Sequence, residues 1–322
     1  MKISEVTVTR REMAELLPSE PPGSLGPEEI RGRTLVSLVS PGTEIQAYLS
    51  DSPSTPGYAA VFIAEEIGCN VEGINRGEQL FCMGGHRSLQ QLPSKSVVRV
   101  PEGLTPEEAV LARLMGVTIT TLMTTLARPG DVVVVTGAGP VGYLCAHLFS
   151  ISGYEVLVVE PNTERCRIAI ESGLEKVFAS VPENDKINGS VALVVDCSGH
   201  EQAVLDGARI VRKGGEIVLV GVPWSQRTNL TAHELLHLVF HKYAVLRSGW
   251  EWALPHHASG FQPHSIYGSF RLALRWLADQ RIPCEDIITL HTPENAQDLY
   301  QGLHHGSLEG LFQIFDWRNH NQ

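Results

Sequence analysis

The sequence predicts an α/β protein: a doubly wound sheet of six parallel strands joined to a second, β-rich domain. From Asp131 onward, apolar runs of strand length alternate with helical patterns, the βα order that builds a parallel sheet. Residues 1 to about 100 instead show strands separated by glycine and proline turns, with no helices between them. At 322 residues and 43% hydrophobic, the chain is long enough for about two domains and a large core.

Alternation marks strands at Lys2–Thr9 and Arg33–Ser40, around a Pro/Gly-rich loop from Pro18 to Pro27. The polar segment Ser40-Pro41-Gly42-Thr43-Glu44 follows, then strands at Ala59–Ile67, Gln79–Cys82 and Val97–Val100. A helical pattern covers Glu107–Leu126. The six sheet strands are expected at Val132–Val135, Glu155–Glu160, Lys176–Ser180, Val191–Asp196, Glu216–Val220 and Tyr243–Ser248. Beyond Gly249 come an irregular stretch rich in Trp, His and Pro, helices near Ser269–Gln280 and Pro293–His304, and an apolar run at Gly310–Trp317 that returns to the first domain.

The first sheet strand runs into Gly137-Ala138-Gly139-Pro140-Val141-Gly142, the spacing GxGxxG. Gly137 permits a tight turn, Gly139 lets the backbone approach a pyrophosphate, and Gly142 lets the next helix pack on the strand. Pro140 suits a first helical turn because its missing N–H has no intrahelical partner there. The amides of this helix end, Val141 among them, face an anion. Glu160 closes the second strand eighteen residues after Gly142, near the offset of a carboxylate that binds adenosine ribose hydroxyls.

With 25 basic and 36 acidic side chains the net charge is −11, which argues against nucleic acid or an anionic membrane as partner. The six cysteines form no CxxC pair and read as reduced structural thiols. No apolar run reaches about 18 residues and the first residues carry charge throughout, so the cytoplasm is the expected compartment. I and i+4 spacing in His233-Glu234-Leu235-Leu236-His237, extended by His241, offers a competing zinc-peptidase reading in which Glu234 activates water.

Laid end to end, these segments resemble the medium-chain dehydrogenase/reductase superfamily, the zinc alcohol dehydrogenase fold. The matching signals are the glycine motif, Gly77-Glu78, Leu104-Thr105-Pro106-Glu107-Glu108-Ala109, Asp196-Cys197-Ser198-Gly199, Arg212-Lys213-Gly214-Gly215 and Val220-Gly221-Val222-Pro223. Ser40-Pro41-Gly42-Thr43-Glu44 and Phe81-Cys82-Met83-Gly84-Gly85-His86 are similar to a subgroup of hydroxyethyl bacteriochlorophyllide dehydrogenase-like proteins. The resemblance implies a GroES-like substrate domain (residues 1–118 and 252–322) and a nucleotide domain (119–251). It further implies NAD(H) along Cys197, Ser198, Gly199, Val220, Gly221, Val222, Ser248 and Gly249.

Zinc members of the superfamily ligate metal at positions that correspond here to Pro41, Tyr58 and Val117. Proline and valine have no side-chain donor and a neutral phenol is a poor ligand, so no zinc is expected. Another group must then manage the substrate oxygen and its proton. Tyr58 and His86 are the candidates, with Thr43 matching the proton-relay hydroxyl and Glu44 an acid that orients one of them. Glu160 would repel a 2′-phosphate, favouring NAD(H) over NADP(H), with Arg165 as a nearby counter-charge.

Trp250, Trp252, His256 and His257 follow the last sheet strand and are candidates to contact a small-molecule substrate. The expected activity is hydride transfer between nicotinamide and a secondary alcohol or ketone: a sugar, a polyol or a larger ring alcohol. Alternatives are an NAD(P)H quinone or enoyl reductase and a non-catalytic dinucleotide sensor. Relatives pair edge strands, so Tyr243–Ser248 implies a homodimer.

Overall fold

The computed structural model describes residues 3–182 and 187–320; Lys2, where the first predicted strand begins, lies outside them. The chain divides into two compact units, Met1–Arg113 with Leu274–Gln280 and Cys284–Gln322, and Leu114–Ala273 with Arg281–Pro283.

The first unit opens with a hairpin of β1 (Ser4–Arg10) and β2 (Met13–Pro18), turned at Glu12 with φ 59°. Its centre is β3 (Glu29–Leu38), followed by helix α1 (Pro41–Tyr48). Then come β4 (Ala60–Ile63), β5 (Glu66–Ile67), β6 (Gln79–Cys82), β7 (Leu89–Pro93) and β8 (Val97–Arg99). Helix α2 (Pro106–Ala109) starts from a capping box in which Thr105 and Glu108 satisfy each other's amides. Helix α3 (Ala112–Thr124) carries the chain into the second unit.

The second unit alternates β9 (Val132–Thr136), α4 (Pro140–Ile151), β10 (Glu155–Val159), α5 (Thr163–Glu171), β11 (Val177–Phe178) and β12 (Val191–Asp196). It continues through α6 (Glu201–Ile210), β13 (Val211–Leu219), α7 (Ala232–Lys242), β14 (Val245–Ser248) and α8 (Ile266–Ala278), which passes into the first unit at Leu274. All pairings are parallel, in the order β11-β10-β9-β12-β13-β14. Counted within this sheet the order is 3-2-1-4-5-6, two βαβαβ halves that meet at β9 and β12.

Alternate residues of β9 feed the two faces: Val133 and Val135 join one apolar cluster, Val134 the other. Every residue of β12 is buried, which explains its unbroken apolar run up to Asp196. The chain ends in the first unit with β15 (Ile288–His291), α9 (Ala296–His305) and β16 (Phe312–Asp316). There β16 pairs antiparallel with β3, Ile314 opposite Leu38.

Four elements depart from the sequence expectation. The Ser40–Glu44 segment opens a helix, because Pro41 stands where a missing N–H costs nothing. The expected strand Ala59–Ile67 is two strands, β4 and β5, both paired to β3 at different registers. β2 and β7 lie where the sequence marks no strand, because their polar residues break the alternation, yet β7 pairs with β3 over five residues.

Candidate functional site

The parallel register aligns the strand ends of the second unit. Val159 lies opposite Thr136, Thr136 opposite Asp196, Asp196 opposite Leu219, and Leu219 opposite Ser248. The segments that follow these residues therefore share the carboxyl edge of the sheet: Gly137–Gly142, Glu160, Cys197–Gly199, Val220–Val222 and Ser248-Gly249. That row unites the glycine motif with the other residues proposed to bind cofactor.

The glycine loop has the geometry its spacing predicts. Gly137 adopts φ +86°, open to glycine and strained for other residues. A Cβ on Gly142 would lie 1.7 Å from the Gly137 carbonyl oxygen, so helix α4 meets the strand only through a glycine there. A Cβ on Gly139 would meet only the Arg165 guanidinium, at 3.7 Å, leaving open space above the turn. No side chain caps α4 at Gly139, so its first amides remain available to an anionic group.

Glu160 is 3% exposed; Oε2 accepts from the Ala138 amide (2.7 Å) and Oε1 from the Asn162 amide (2.8 Å). Arg165 Nη1 stands 3.8 Å from the same carboxylate. The acid thus binds the glycine loop itself, and its remaining lone pairs are acceptors for hydroxyls.

Asp196 performs the equivalent task one strand away, where sequence reasoning saw only a motif residue. Fully buried, it accepts from the Thr136 hydroxyl (2.7 Å), the Ser198 hydroxyl (2.6 Å), and the Ser198 and Gly199 amides (both 3.1 Å). Gly199 turns with φ +63°, where a Cβ would come within 2.5 Å of the Val222 carbonyl oxygen. A charged residue ending an otherwise apolar strand was the available signal. Below this turn a hydrogen bond from the Cys197 thiol to Cys145, and then burial, hold that thiol well above its ordinary pKa, so it is no nucleophile.

In the first unit the candidate catalytic residues form two linked clusters. The Trp317 indole N–H donates to Ser37 Oγ (2.9 Å), which lies 2.8 Å from His86 Nδ1. His86 Nε2 lies 2.9 Å from Glu44 Oε2, which also accepts the Tyr300 hydroxyl (2.6 Å). Glu44 Oε1 accepts the Ser40 amide (2.8 Å). These contacts fit a neutral imidazole that receives the Ser37 proton at Nδ1 and donates from Nε2.

His86 lies on the loop between β6 and β7, and its ring is turned inward. It is 1% exposed, its ring edge packs on Phe315 at 5.0 Å, and both nitrogens are engaged. Burial, reinforced by the Glu44 charge, pushes the Tyr300 hydroxyl well above the ordinary phenol range, so it stays a donor. Ser37, Tyr300 and Trp317 escaped sequence reasoning because they lie far from Glu44 along the chain.

Tyr58 is less enclosed. Its hydroxyl donates to Ser40 Oγ (2.5 Å), and the exposed Thr43 supplies a further hydrogen bond. The Arg113 guanidinium lies over its ring, 4.6 Å from the centroid. Burial raises the Tyr58 pKa, while Ser40 and Arg113 oppose that rise. Gly57 precedes it at φ +100°, its Cα facing the His86 ring so closely that a Cβ would sit 2.8 Å from Cγ.

Trp250 and Trp252 are exposed, Trp252 stacked on His256 at 5.2 Å and His257 on Tyr267 at 4.7 Å. On α7 the His233, His237 and His241 rings are exposed, with centroids 6.1 and 4.2 Å apart in succession. Glu234 is paired with Arg209, so the peptidase reading has no free carboxylate for water. Among the described residues no three His, Cys, Asp or Glu side chains form a metal-ligand set.

The strand order, the glycine loop and the acid after the second strand are those of the doubly wound α/β fold class. Residues 140–251 match the family described as zinc-binding dehydrogenase, and the chain has an α/β fold that matches solved structures of medium-chain dehydrogenases. An alcohol dehydrogenase of Geobacillus stearothermophilus is 27% identical over 212 residues, 53% of this chain and 62% of the relative. The probable D-xylulose reductase A of Arthroderma otae is 31% identical over 143 residues, 41% of this chain and 40% of the relative. The crystal structure of galactitol-1-phosphate dehydrogenase from Escherichia coli superposes with a TM-score of 0.81 at 15% identity, covering 97% of this chain and 99% of that one. The matched segment thus spans less than two thirds of either curated relative. Among the described residues no helix is long and apolar enough to cross a membrane.

Despite the family's description, the residues at the ligand positions do not suit zinc. Pro41 and Val117 offer no donor atom, and the Tyr58 hydroxyl is a phenol held protonated by burial.

Proposed function

We propose that the chain is an NAD(H)-dependent oxidoreductase that interconverts a secondary alcohol and its ketone without zinc. The observation that carries this reading is Glu160, a buried carboxylate bonded to the Ala138 amide beside an uncapped helix end. Such an arrangement suits a pyrophosphate on the α4 amides and a ribose on the acid, and the carboxylate charge disfavours a 2′-phosphate.

Gly137, Gly139, Pro140, Val141 and Gly142 would hold the pyrophosphate, with Glu160 and Arg165 at the adenosine ribose. The turns at Cys197–Gly199, Val220–Val222 and Ser248-Gly249 would continue the row. When bound, the nicotinamide supplies or accepts the hydride. Tyr58 is the residue we assign to the substrate proton, because it is only partly buried whereas Glu44 and His86 are enclosed; Thr43 relays to it. Glu44 and His86 position that cluster from the interior. Trp250, Trp252, His256 and His257 remain the proposed substrate contacts.

The partner we propose is a second copy of the chain, joined through β14. This strand is one edge of the parallel sheet, and Val245 on it, Leu236 and Phe240 on α7 and Tyr243 at the end of that helix stand exposed. Light scattering is expected to give the mass of a dimer; a monomer would refute the pairing.

Titration with NADH and NADPH, a panel of alcohols and ketones, and metal analysis of the same preparation test the proposal together. Expected are tighter binding of NADH and turnover of at least one carbonyl at substoichiometric zinc. NADH binding without turnover on the whole panel would favour a sensor, and preference for NADPH with quinones or enones a reductase of the other kind.

A further inference from the structure

We propose that Arg113 supplies the fixed positive charge of the Tyr58 site, a positioning residue that stabilises the phenolate formed when Tyr58 gives up its proton. The inference rests on the reading of the chain as an NAD(H) oxidoreductase and names the group that does there what no side chain at a ligand position can do.

Arg113 is the one charged residue in the apolar run Val110–Val117 and is itself only 5% exposed. Its neighbours Leu111, Ala112, Leu114 and Met115 are buried to 1% or less. A guanidinium stays protonated at any physiological pH, so the charge is permanent. Its position over the Tyr58 ring, 4.6 Å from the centroid, gives a cation–π contact with the neutral phenol. The same position gives a much stronger charge–charge attraction once the phenol ionises.

Two charged groups face Tyr58. Arg113 favours the phenolate and Glu44 opposes it. Glu44, however, is committed through both oxygens to the Ser40 amide, His86 and Tyr300, while Arg113 faces the ring directly. His86 and Tyr300, the other titratable groups of the cluster, are both held on Glu44. The Ser40 and Thr43 hydroxyls complete the surroundings of the phenol oxygen.

In the reducing direction, the carbonyl carbon would receive a hydride with its electron pair from a dihydronicotinamide held along the Gly137–Gly142 turn. The carbonyl π electrons move to oxygen, which takes the Tyr58 proton; the phenolic O–H bond breaks and its electron pair stays on Tyr58. The resulting phenolate faces Arg113. A proton then returns from water through the exposed Thr43 hydroxyl, restoring the phenol.

The test is fluorine NMR of protein labelled with fluorotyrosine, with Tyr58→Phe to assign the signal, in wild type, Arg113→Met and Arg113→Lys. Removing an opposite charge at this range is expected to raise the Tyr58 midpoint by about 1–3 pH units. Arg113→Lys should keep most of the wild-type value, and NADH affinity should change in neither variant. The alkaline limb of the pH profile for ketone reduction should move with the midpoint. Should Arg113→Met fail to fold by circular dichroism, Arg113→Gln carries the same prediction.

An unchanged midpoint in the uncharged variant overturns the proposal, whether or not the protein turns over. Because the titration needs neither cofactor nor substrate, a shifted midpoint with no turnover on any carbonyl upholds the Arg113–Tyr58 coupling and sinks only the oxidoreductase reading.

Discussion

Glu160 and Glu44 are both buried carboxylates, and each ties a loop to its surroundings, but they draw on different donors. Glu160 accepts from two backbone amides, Ala138 and Asn162, both within 22 residues of it. Glu44 accepts one local amide, from Ser40, and then two side chains, His86 at 42 residues' distance and Tyr300 at 256. An acid that binds backbone stabilises a turn whose shape the glycines already impose. An acid that binds distant side chains is itself what holds those segments together. The first arrangement leaves capacity for a ligand, while the second is closed and serves the Tyr58 cluster from behind.

That contrast predicts where the molecule is fragile. Glu44→Ala would strand the Ser40 N–H, the Tyr300 hydroxyl and the His86 ring in the interior, a loss of about 3–5 kcal/mol in urea unfolding. A loss below about 1 kcal/mol would mean that water or neighbours replace it easily and that the two acids do not differ as described.

Acid should reveal a second weak point, in the nucleotide unit. Burial pushes the His147 pKa down from 6.5 to about 4, and its Nε2 lies 2.9 Å from Ser172 Oγ. Because the folded pKa lies below the unfolded one, the neutral ring's contribution is whole above pH 6.5 and is lost as pH falls toward 4. About 3 kcal/mol is at stake, and His147→Gln should flatten that part of the stability profile. An unchanged profile in the variant would place the acid sensitivity elsewhere.

Gly142→Ala forces a Cβ against the Gly137 carbonyl and should weaken NADH binding on the order of 100-fold, read by fluorescence titration. Ordinary affinity in this variant would remove the glycine turn from the site. Smallest is Glu160→Gln, which keeps the shape and removes the charge: NADH affinity is expected to fall about tenfold while NADPH affinity holds or rises. An equal loss for both cofactors would contradict the role given to the carboxylate's charge.

The same contrast decides what was readable beforehand. Turns that depend on φ above zero or on close backbone approach leave glycines at fixed spacing, so Gly137, Gly139, Gly142 and the acid at Glu160 could be found in one dimension. The six sheet strands were equally visible, because burial on both faces leaves unbroken apolar runs. Ser37, Tyr300 and Trp317 left no such trace, since nothing local requires a hydroxyl or an indole at those positions. His86 was noticed as a candidate, but its burial was not legible, because nothing in the local sequence shows that a loop ring is enclosed. Arg113 did leave a mark, a single charge in an apolar helix, whose meaning depended on Tyr58 lying 55 residues earlier in the chain.

The central claim is that this site handles a substrate oxygen with a phenol and a guanidinium in place of a metal ion. Turnover of NADH with a ketone substrate, followed in one preparation alongside its zinc content and before and after a chelator, tests it most directly. The account predicts full activity at substoichiometric zinc, undiminished by the chelator. Activity that rises in proportion to bound zinc and vanishes on chelation would contradict it.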